Sequence, residues 1–353
     1  MRQQRYTTEN VQGGLSIIEL MIALALGSVL TLGLVQIFSS NSQSFRLNDS
    51  SARVQESGRI AADILSRALR NAGFFGCFPI NPIVNNLDDT DGDYDNALHN
   101  FRVEGISAES ALRPAGAVAG TDFFLVSGLR HAGTNISTTA QVNSASFQVT
   151  SAGNLQAGSI VMINDCANGD IFEVSLIQET GGGAQITLVA NGNDGQPGND
   201  FSANSPAGCS DPDSCLSAIY GVGAQVLQAY NELYFIGTGA SGDNALFLRN
   251  SAGATVELVS GVTDMDVRFG TGTVESGVQN WVDADSVSDW ASVIAVEVSL
   301  MFESARDNLA LQPQQLCFPG WLECDGDAVP YMTASDRRLY RVYTFTTALR
   351  NRI

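Results

Sequence analysis

Hydrophobic and polar positions divide the chain into three unequal stretches. Residues 1–14 are polar, with Arg2 and Arg5 near the start. Residues 15–38 are apolar with little interruption, and Glu19 is their only charge. Beyond residue 38 the apolar positions first recur at helical spacing and then fall into short runs. The apolar stretch of 24 residues, rising about 1.5 Å per residue as a helix, spans roughly 36 Å. That exceeds the about 30 Å hydrocarbon core of a bilayer, so the pattern predicts a transmembrane helix over 15–38. A carboxylate at the bilayer centre costs about 2.5–3.5 kcal/mol. Glu19 lies near the helix end, where it can stay at the interface or meet a cation from another subunit.

Phe45, Leu47, Val54, Ile60, Ile64, Leu65 and Leu69 follow at roughly helical spacing, with arginines and polar residues between them. This predicts an amphipathic continuation of the helix over 39–72 whose apolar stripe needs a globular partner. Gly58 weakens the pattern without ending it. Asn71-Ala72-Gly73 supplies the stop, because glycine accepts the left-handed conformation after a last turn. Arg67 and Arg70 sit where the helix dipole favours cations.

Residues 73–353 are punctuated differently. Short β-type runs, bounded by Gly, Asn, Asp and Ser, fall at 122–127, 146–150, 159–163, 171–178, 185–189, 224–236, 245–249, 256–259, 265–269, 293–302 and 339–347. No second long helix and no 20–50-residue repeat interrupts them. The fold class expected is α+β: one long N-terminal helix packed on a single β-rich, antiparallel domain.

Charge narrows the function. The net charge is −19, there is no lysine, and removing residues 1–14 with Arg2, Arg5 and Glu9 leaves −20. So acidic a body argues against a phosphate-tracking groove, and no nucleic-acid partner is expected. Arginines cluster on the helix (Arg46, Arg53, Arg59, Arg67, Arg70) and at the C-terminus (Arg337, Arg338, Arg341, Arg350, Arg352).

Six cysteines, an even number behind an export-type N-terminus, read as a disulfide framework, with reduced buried thiols as the alternative. Of the 15 possible connectivities, proximity favours Cys209 with Cys215 and Cys317 with Cys324. That leaves Cys77 and Cys166. There is no CxxC pair, and His99 and His131 stand far from the cysteine clusters, so no zinc site is expected. The acidic run 85–96 fails the calcium-loop pattern, because Tyr94 and Asn100 stand where glycine and glutamate are needed. Phosphate-loop, dinucleotide, HExxH and GxSxG motifs are missing. The chain is read as not an enzyme, with no cofactor, metal or small-molecule substrate. Trp281, Trp290 and Trp321 are read as core or edge packing rather than a sugar platform.

Gly14-Leu15-Ser16-Ile17-Ile18-Glu19 resembles the processing site of type IV prepilins and type II secretion pseudopilins. Unlike a secretory signal, the small-residue site precedes the apolar run, so cleavage leaves the helix on the mature chain. Further stretches resemble the PilW family of type IV pilus minor pilins. They are Arg70-Asn71-Ala72-Gly73-Phe74-Phe75-Gly76-Cys77, Asn164-Asp165-Cys166 with Asp170-Ile171-Phe172, Gly261 to Gly270, and Arg341 to Arg352. The resemblance implies a leader at 1–14, cleavage by a prepilin peptidase between Gly14 and Leu15, and N-methylation of Leu15, which stands where most pilins carry phenylalanine or methionine. It assigns Glu19 to pairing with a neighbouring subunit's N-terminus, and it supports a Cys77–Cys166 bond. The expected partners are other minor pilins, the major pilin, the peptidase and the inner membrane. The expected location is the inner membrane, with the C-terminal domain periplasmic, and then the tip of an extracellular fibre. A J-like type II secretion pseudopilin and a pilus-tip adhesin are the competing readings.

Overall fold

The computed structural model describes residues 16–77, 83–144, 146–187, 195–202 and 215–352. Helix α1 runs over Ile17–Asn71. The chain divides after Ala52 into two compact units, so the helix contributes to both.

In the first unit the helix carries the apolar run. Ile17, Leu24, Val29, Leu32 and Phe38 are between 66% and 80% exposed. No residue of its most apolar window is buried, and the helix is long and apolar enough to cross a membrane. Phe45 and Leu47 are also exposed.

In the second unit the helix is the centre of a core. Val54, Ala61, Leu65 and Leu69 are buried on one face. Their steps of seven, four and four residues match the helical period. Ile60 stays 39% exposed, so the predicted stripe is rotated toward Ala61. Gly58 gives the stripe its closest packing. A Cβ there would overlap the Tyr343 ring, so the bare backbone lets that ring lie against the helix. The helix stops where the sequence predicts. Gly73 takes φ +73° and its N–H donates to the Ser127 carbonyl (2.9 Å). Asn351 Nδ2 donates to the Ala72 carbonyl (2.9 Å), so the C-terminal tail helps satisfy the end of the helix.

The strands, in chain order, are β1 (Ile83–Asn85), β2 (Ile106–Ser107), β3 (Phe123–Asn135), β4 (Ser146–Val149), β5 (Ile160–Asn164), β6 (Gly169–Glu173), β7 (Leu176–Thr180), β8 (Gly183–Thr187) and β9 (Gln225–Thr238). Then come β10 (Asn244–Asn250), β11 (Thr255–Ser260), β12 (Val262–Thr273), β13 (Gly277–Asp283), β14 (Val293–Glu303), β15 (Gln315–Leu316), β16 (Met332–Thr333) and β17 (Tyr340–Ala348). A short helix α2 spans Asn96–His99. The larger sheet has the order β1-β6-β5-β9-β10-β11, with β3 also pairing β9 and β2 pairing β3. The smaller sheet has the order β13-β12-β14-β17. A three-stranded sheet, β4-β8-β7, and the pair β15-β16 complete the set.

The fold is α+β, as the pattern predicts. Among the described residues the pairing is antiparallel except for β1 with β6, where Ile83 lies beside Gly169 and Asn85 beside Ile171 in parallel. The predicted run 171–178 is two strands, β6 and β7. Strand β13 has no predicted counterpart. Its residues Gly-Val-Gln-Asn-Trp-Val-Asp are mostly polar because it is an exposed sheet edge, so no apolar alternation marks it.

Both sheets pack on the helix. The core around Leu65 and Leu69 takes Phe124, Tyr230, Tyr234 and Ile236 from the larger sheet. From the smaller sheet it takes Val267, Phe269, Val296, Val298, Leu300 and Phe302. Burying a leucine side chain fully contributes about 1.5–3 kcal/mol. Away from the helix lies a second core, with Phe147, Phe172, Ile186, Phe201, Leu216 and Tyr220.

Candidate functional site: the N-terminal helix and the sheet that carries it

The predicted processing site, Gly14 and Leu15, lies outside the described residues. Glu19 is exposed in the first turn of α1, among Ile17, Ile18, Leu20 and Met21, all more than half exposed. A carboxylate at a helix N-terminus is favoured by the helix dipole. Apart from Ser16, its neighbours from Ile17 to Leu26 carry apolar side chains.

Cysteine chemistry is structural. Cys77 is bonded to Cys166 with Cα atoms 5.3 Å apart. This ties the segment after the helix to the turn between β5 and β6. Cys166 sits at φ +69°, held by a 2.6 Å hydrogen bond from its N–H to Asn164 Oδ1. Asp165 Oδ1 accepts from the N–H groups of Ala167 and Asn168 in the same turn. Cys317 is bonded to Cys324. Cys215 is disulfide-bonded, and Cys209 lies outside the described residues.

Asp170 on β6 is fully buried. Its two oxygens accept from Asn86 Nδ2 (2.9 Å), Ser217 N–H (2.9 Å), Ser217 Oγ (2.7 Å) and the Tyr220 hydroxyl (2.7 Å). Burial is the main cause that pushes the Tyr220 hydroxyl far up from its ordinary value, and the neighbouring carboxylate adds to it. Four donors around one carboxylate satisfy a buried charge. This clamp fixes the chain at 215–220 against β6.

Three aspartates of the 85–96 run, Asp88, Asp91 and Asp95, accept local hydrogen bonds. Asp88 Oδ1 accepts from Thr90, Asp91 Oδ1 from Asp93 N–H, and Asp95 Oδ1 caps α2 at Ala97 N–H (2.8 Å). Asp95 also pairs with Arg249 at 2.8 Å. Among the described residues no group of three or more His, Cys, Asp or Glu is arranged to hold a metal. His99 is buried, accepts from Asp95 N–H at Nδ1 and faces the Ser251 carbonyl with Nε2. Burial lowers its pKa. His131 lies beside the Phe74 ring.

On the smaller sheet, Arg268 of β12 is ion-paired with Glu297 of β14 (2.5 Å). Its guanidinium lies over two indole rings, Trp281 at 5.1 Å and Trp321 at 4.6 Å. Trp321 belongs to the loop closed by Cys317–Cys324, and Gly320 N–H of that loop donates to Ser299 Oγ (2.9 Å). The loop is therefore held flat on the sheet. Trp290 packs edge-on against Phe269. All three tryptophans make packing contacts; those of Trp281 and Trp321 are with a cation.

Residues 233–351 match the family model of type IV pilus-assembly protein W. The match opens at Leu233 inside β9 and closes beyond β17, so it contains the whole smaller sheet and the strands β10 and β11. It supports the resemblance drawn above from Gly261 to Gly270 and from Arg341 to Arg352. No curated protein matches the chain, and no solved structure matches it. The matched stretch is the one that supplies Val267, Phe269, Val296, Val298, Leu300 and Phe302 to the helix core.

Proposed function

We propose that this chain is a minor pilin that takes part in assembly of a type IV pilus. The observation that carries the reading is the match of residues 233–351 to type IV pilus-assembly protein W, on the sheet that packs against a helix with an apolar N-terminal half. In this reading the protein performs no chemistry. Cleavage after Gly14 frees the Leu15 amino group, which is then methylated. The apolar helix holds the subunit in the inner membrane with residues 73–353 on the periplasmic side. It then moves into a bundle of like helices. Leaving lipid for other apolar helices costs little, since both surroundings are apolar. Glu19 adds what apolar contacts lack, a directional pairing that fixes vertical register with a neighbour's N-terminus. The bulk of residues 73–353 suits a place at the fibre tip with other minor pilins, where the subunit helps to start the fibre.

The test is Glu19→Ala in the native host, scored by surface pili and twitching beside a deletion strain. Loss of piliation with the subunit still present in the membrane is the expected result. Unchanged piliation rejects the register role. The deletion is scored in parallel for exoprotein secretion. Lost secretion with intact pili would move the protein to the pseudopilins.

A further inference from the structure

Strands β14 and β17 are neighbours in the smaller sheet, yet the connection between them, 304–339, is 36 residues long. A hairpin needs about two to five. The excess is built rather than loose. Its root is fixed to the sheet by Trp321 over Arg268 and by Gly320 N–H to Ser299 Oγ. Beyond the root, Met332 of β16 pairs with Leu316 of β15, and the next residue, Cys317, is bonded to Cys324. Asp325 Oδ1 then accepts from the N–H groups of Asp327 (2.9 Å) and Val329 (3.0 Å), which closes the outermost turn. Gly326 in that turn takes φ +85°, and the Tyr331 ring lies beside it. So a short disulfide-closed tip holds together Tyr331, 44% exposed, and Met332, 38% exposed. Both residue types are enriched where proteins meet. Glu323, Asp325 and Asp327 lie around them, and no arginine occurs between Arg306 and Arg337.

A surface of the opposite sign stands elsewhere on the same chain. Residues 73–353 carry 11 arginines against 32 carboxylates, whereas 39–72 carry five arginines against three carboxylates. Arg59 and Arg67 are ion-paired along the helix. Arg46 is exposed and has no ion pair among the described residues. It stands between Phe45, 73% exposed, and the exposed Leu47. Phe45 lies seven residues past the apolar run, about 10 Å along the helix, and nine before Val54, where the helix core begins. Neither the apolar run nor the core accounts for an aromatic ring there.

We propose that the acidic tip, 322–332, docks on the arginine-bearing helix stretch 42–53 of a second copy of the chain. Tyr331 and Met332 meet Phe45 and Leu47, and the surrounding carboxylates meet Arg46. Like-charged bodies repel one another, so a contact between copies needs a cationic face on one side, and the helix supplies it. The two surfaces differ, so the contact is head to tail and can add further copies. Anionic headgroups would repel the three carboxylates, which sets the tip against a lipid surface. The inference needs only the purified chain and does not rest on the pilin reading.

The experiment is sedimentation of the full chain in non-ionic detergent, over a range of protein concentrations. The wild type should form dimers and larger species, and Arg46→Glu should weaken the association at least about tenfold. So should a chain carrying Glu323→Arg with Asp327→Arg, which leaves Asp325 to hold the turn. Mixed in equal amounts, the two variants should associate again, because the reversed helix of one meets the reversed tip of the other. A wild type that stays monomeric overturns the proposal, and so does a mixture that associates no better than its components. Association that neither variant weakens overturns it too, since the apolar runs then meet in the micelle. Should a variant fail to fold, the photoreactive residue benzoylphenylalanine in place of Tyr331 decides. In a mixture of isotope-labelled and unlabelled chains it should join to 42–53 of another copy. Cross-links only to detergent, or only within one chain, overturn the contact.

Discussion

Two regions of the second unit hold together by different means. Around the helix, long strands (β9 to β12, β14 and β17) present alternating apolar residues to Val54, Ala61, Leu65 and Leu69. Away from it, around β1 and β4 to β8, the strands are short, and fully buried polar residues stand among the apolar ones: Asn86, Asp170 and Glu173. The helix gives the first region one large apolar surface, and packing fixes the geometry there. The second region has no such surface. Buried hydrogen bonds and the Cys77–Cys166 bond fix its register. Packing errors in the first region should cost in proportion to volume. Errors in the second should cost in proportion to the number of groups left without partners.

The sharpest break of that contrast is Asp170→Ala. It removes the acceptor that the Asn86 amide, the half-buried Ser217 N–H and hydroxyl, and the Tyr220 hydroxyl share. A buried donor that loses its acceptor, as the Tyr220 hydroxyl does, costs about 1–3 kcal/mol, and the other lost bonds add to it. Hydrogen exchange should rise first at 215–220 and in β6, with the helix core still protected. Uniform loss of protection would show that the two regions are not separable. Leu65→Ala is the counterpart. This side chain is fully buried under both sheets, and truncation should cost about 2–5 kcal/mol. Urea denaturation of the full chain in detergent measures it, and exchange should rise together in 61–69, β12 and β14.

How far these features can be read from the chain follows the same division. The apolar run, the helix end at Asn71-Ala72-Gly73 and the long strands are legible because each repeats a local period. Gly58 is not, since its reason is the Tyr343 ring, almost three hundred residues along. Ala61 is missed because alanine carries little signal on a helix that arginines otherwise punctuate. Asp170 follows Asn168-Gly169 and reads as part of a turn; its burial depends on Ser217 and Tyr220 arriving from another loop. Trp281 and Trp321 are legible as packing residues, but the cation between them is set by strand register. Glu19 is the reverse case. Its exposed place in an apolar helix is plain from the sequence, and the role proposed for it lies with another subunit.

Gly58→Ala probes packing at one methyl group. The added Cβ meets the Tyr343 ring, so the helix or the ring must shift, at a cost of about 1–3 kcal/mol. Alanine has the higher helix propensity by about 1 kcal/mol, which offsets part of it. Combining the change with Tyr343→Leu should recover most of the loss, because the smaller side chain clears the site. Additive losses in the double variant would mean that the contact is not what fixes glycine there.

The smallest effect is expected on the outer face of the smaller sheet, where Trp321→Ala removes one of the two rings flanking Arg268. The cation–ring contact contributes about 0.5–2 kcal/mol, depending on how far it is desolvated, and Arg268 keeps its ion pair with Glu297 and its contact with Trp281. Global stability should therefore fall by about 1 kcal/mol. The local effect should be larger, since the ring is one of the few anchors holding the Cys317–Cys324 loop to the sheet, beside the Gly320 to Ser299 hydrogen bond. Exchange at Gly320 should rise while β12 and β14 stay protected. Arg268→Lys sharpens the reading: lysine keeps the charge for Glu297 but lacks the flat guanidinium that two indoles can cover. If the loop loosens equally in both variants, stacking holds it. If Arg268→Lys leaves it closed, the ion pair is enough, and the loop belongs with the polar region rather than the packed one.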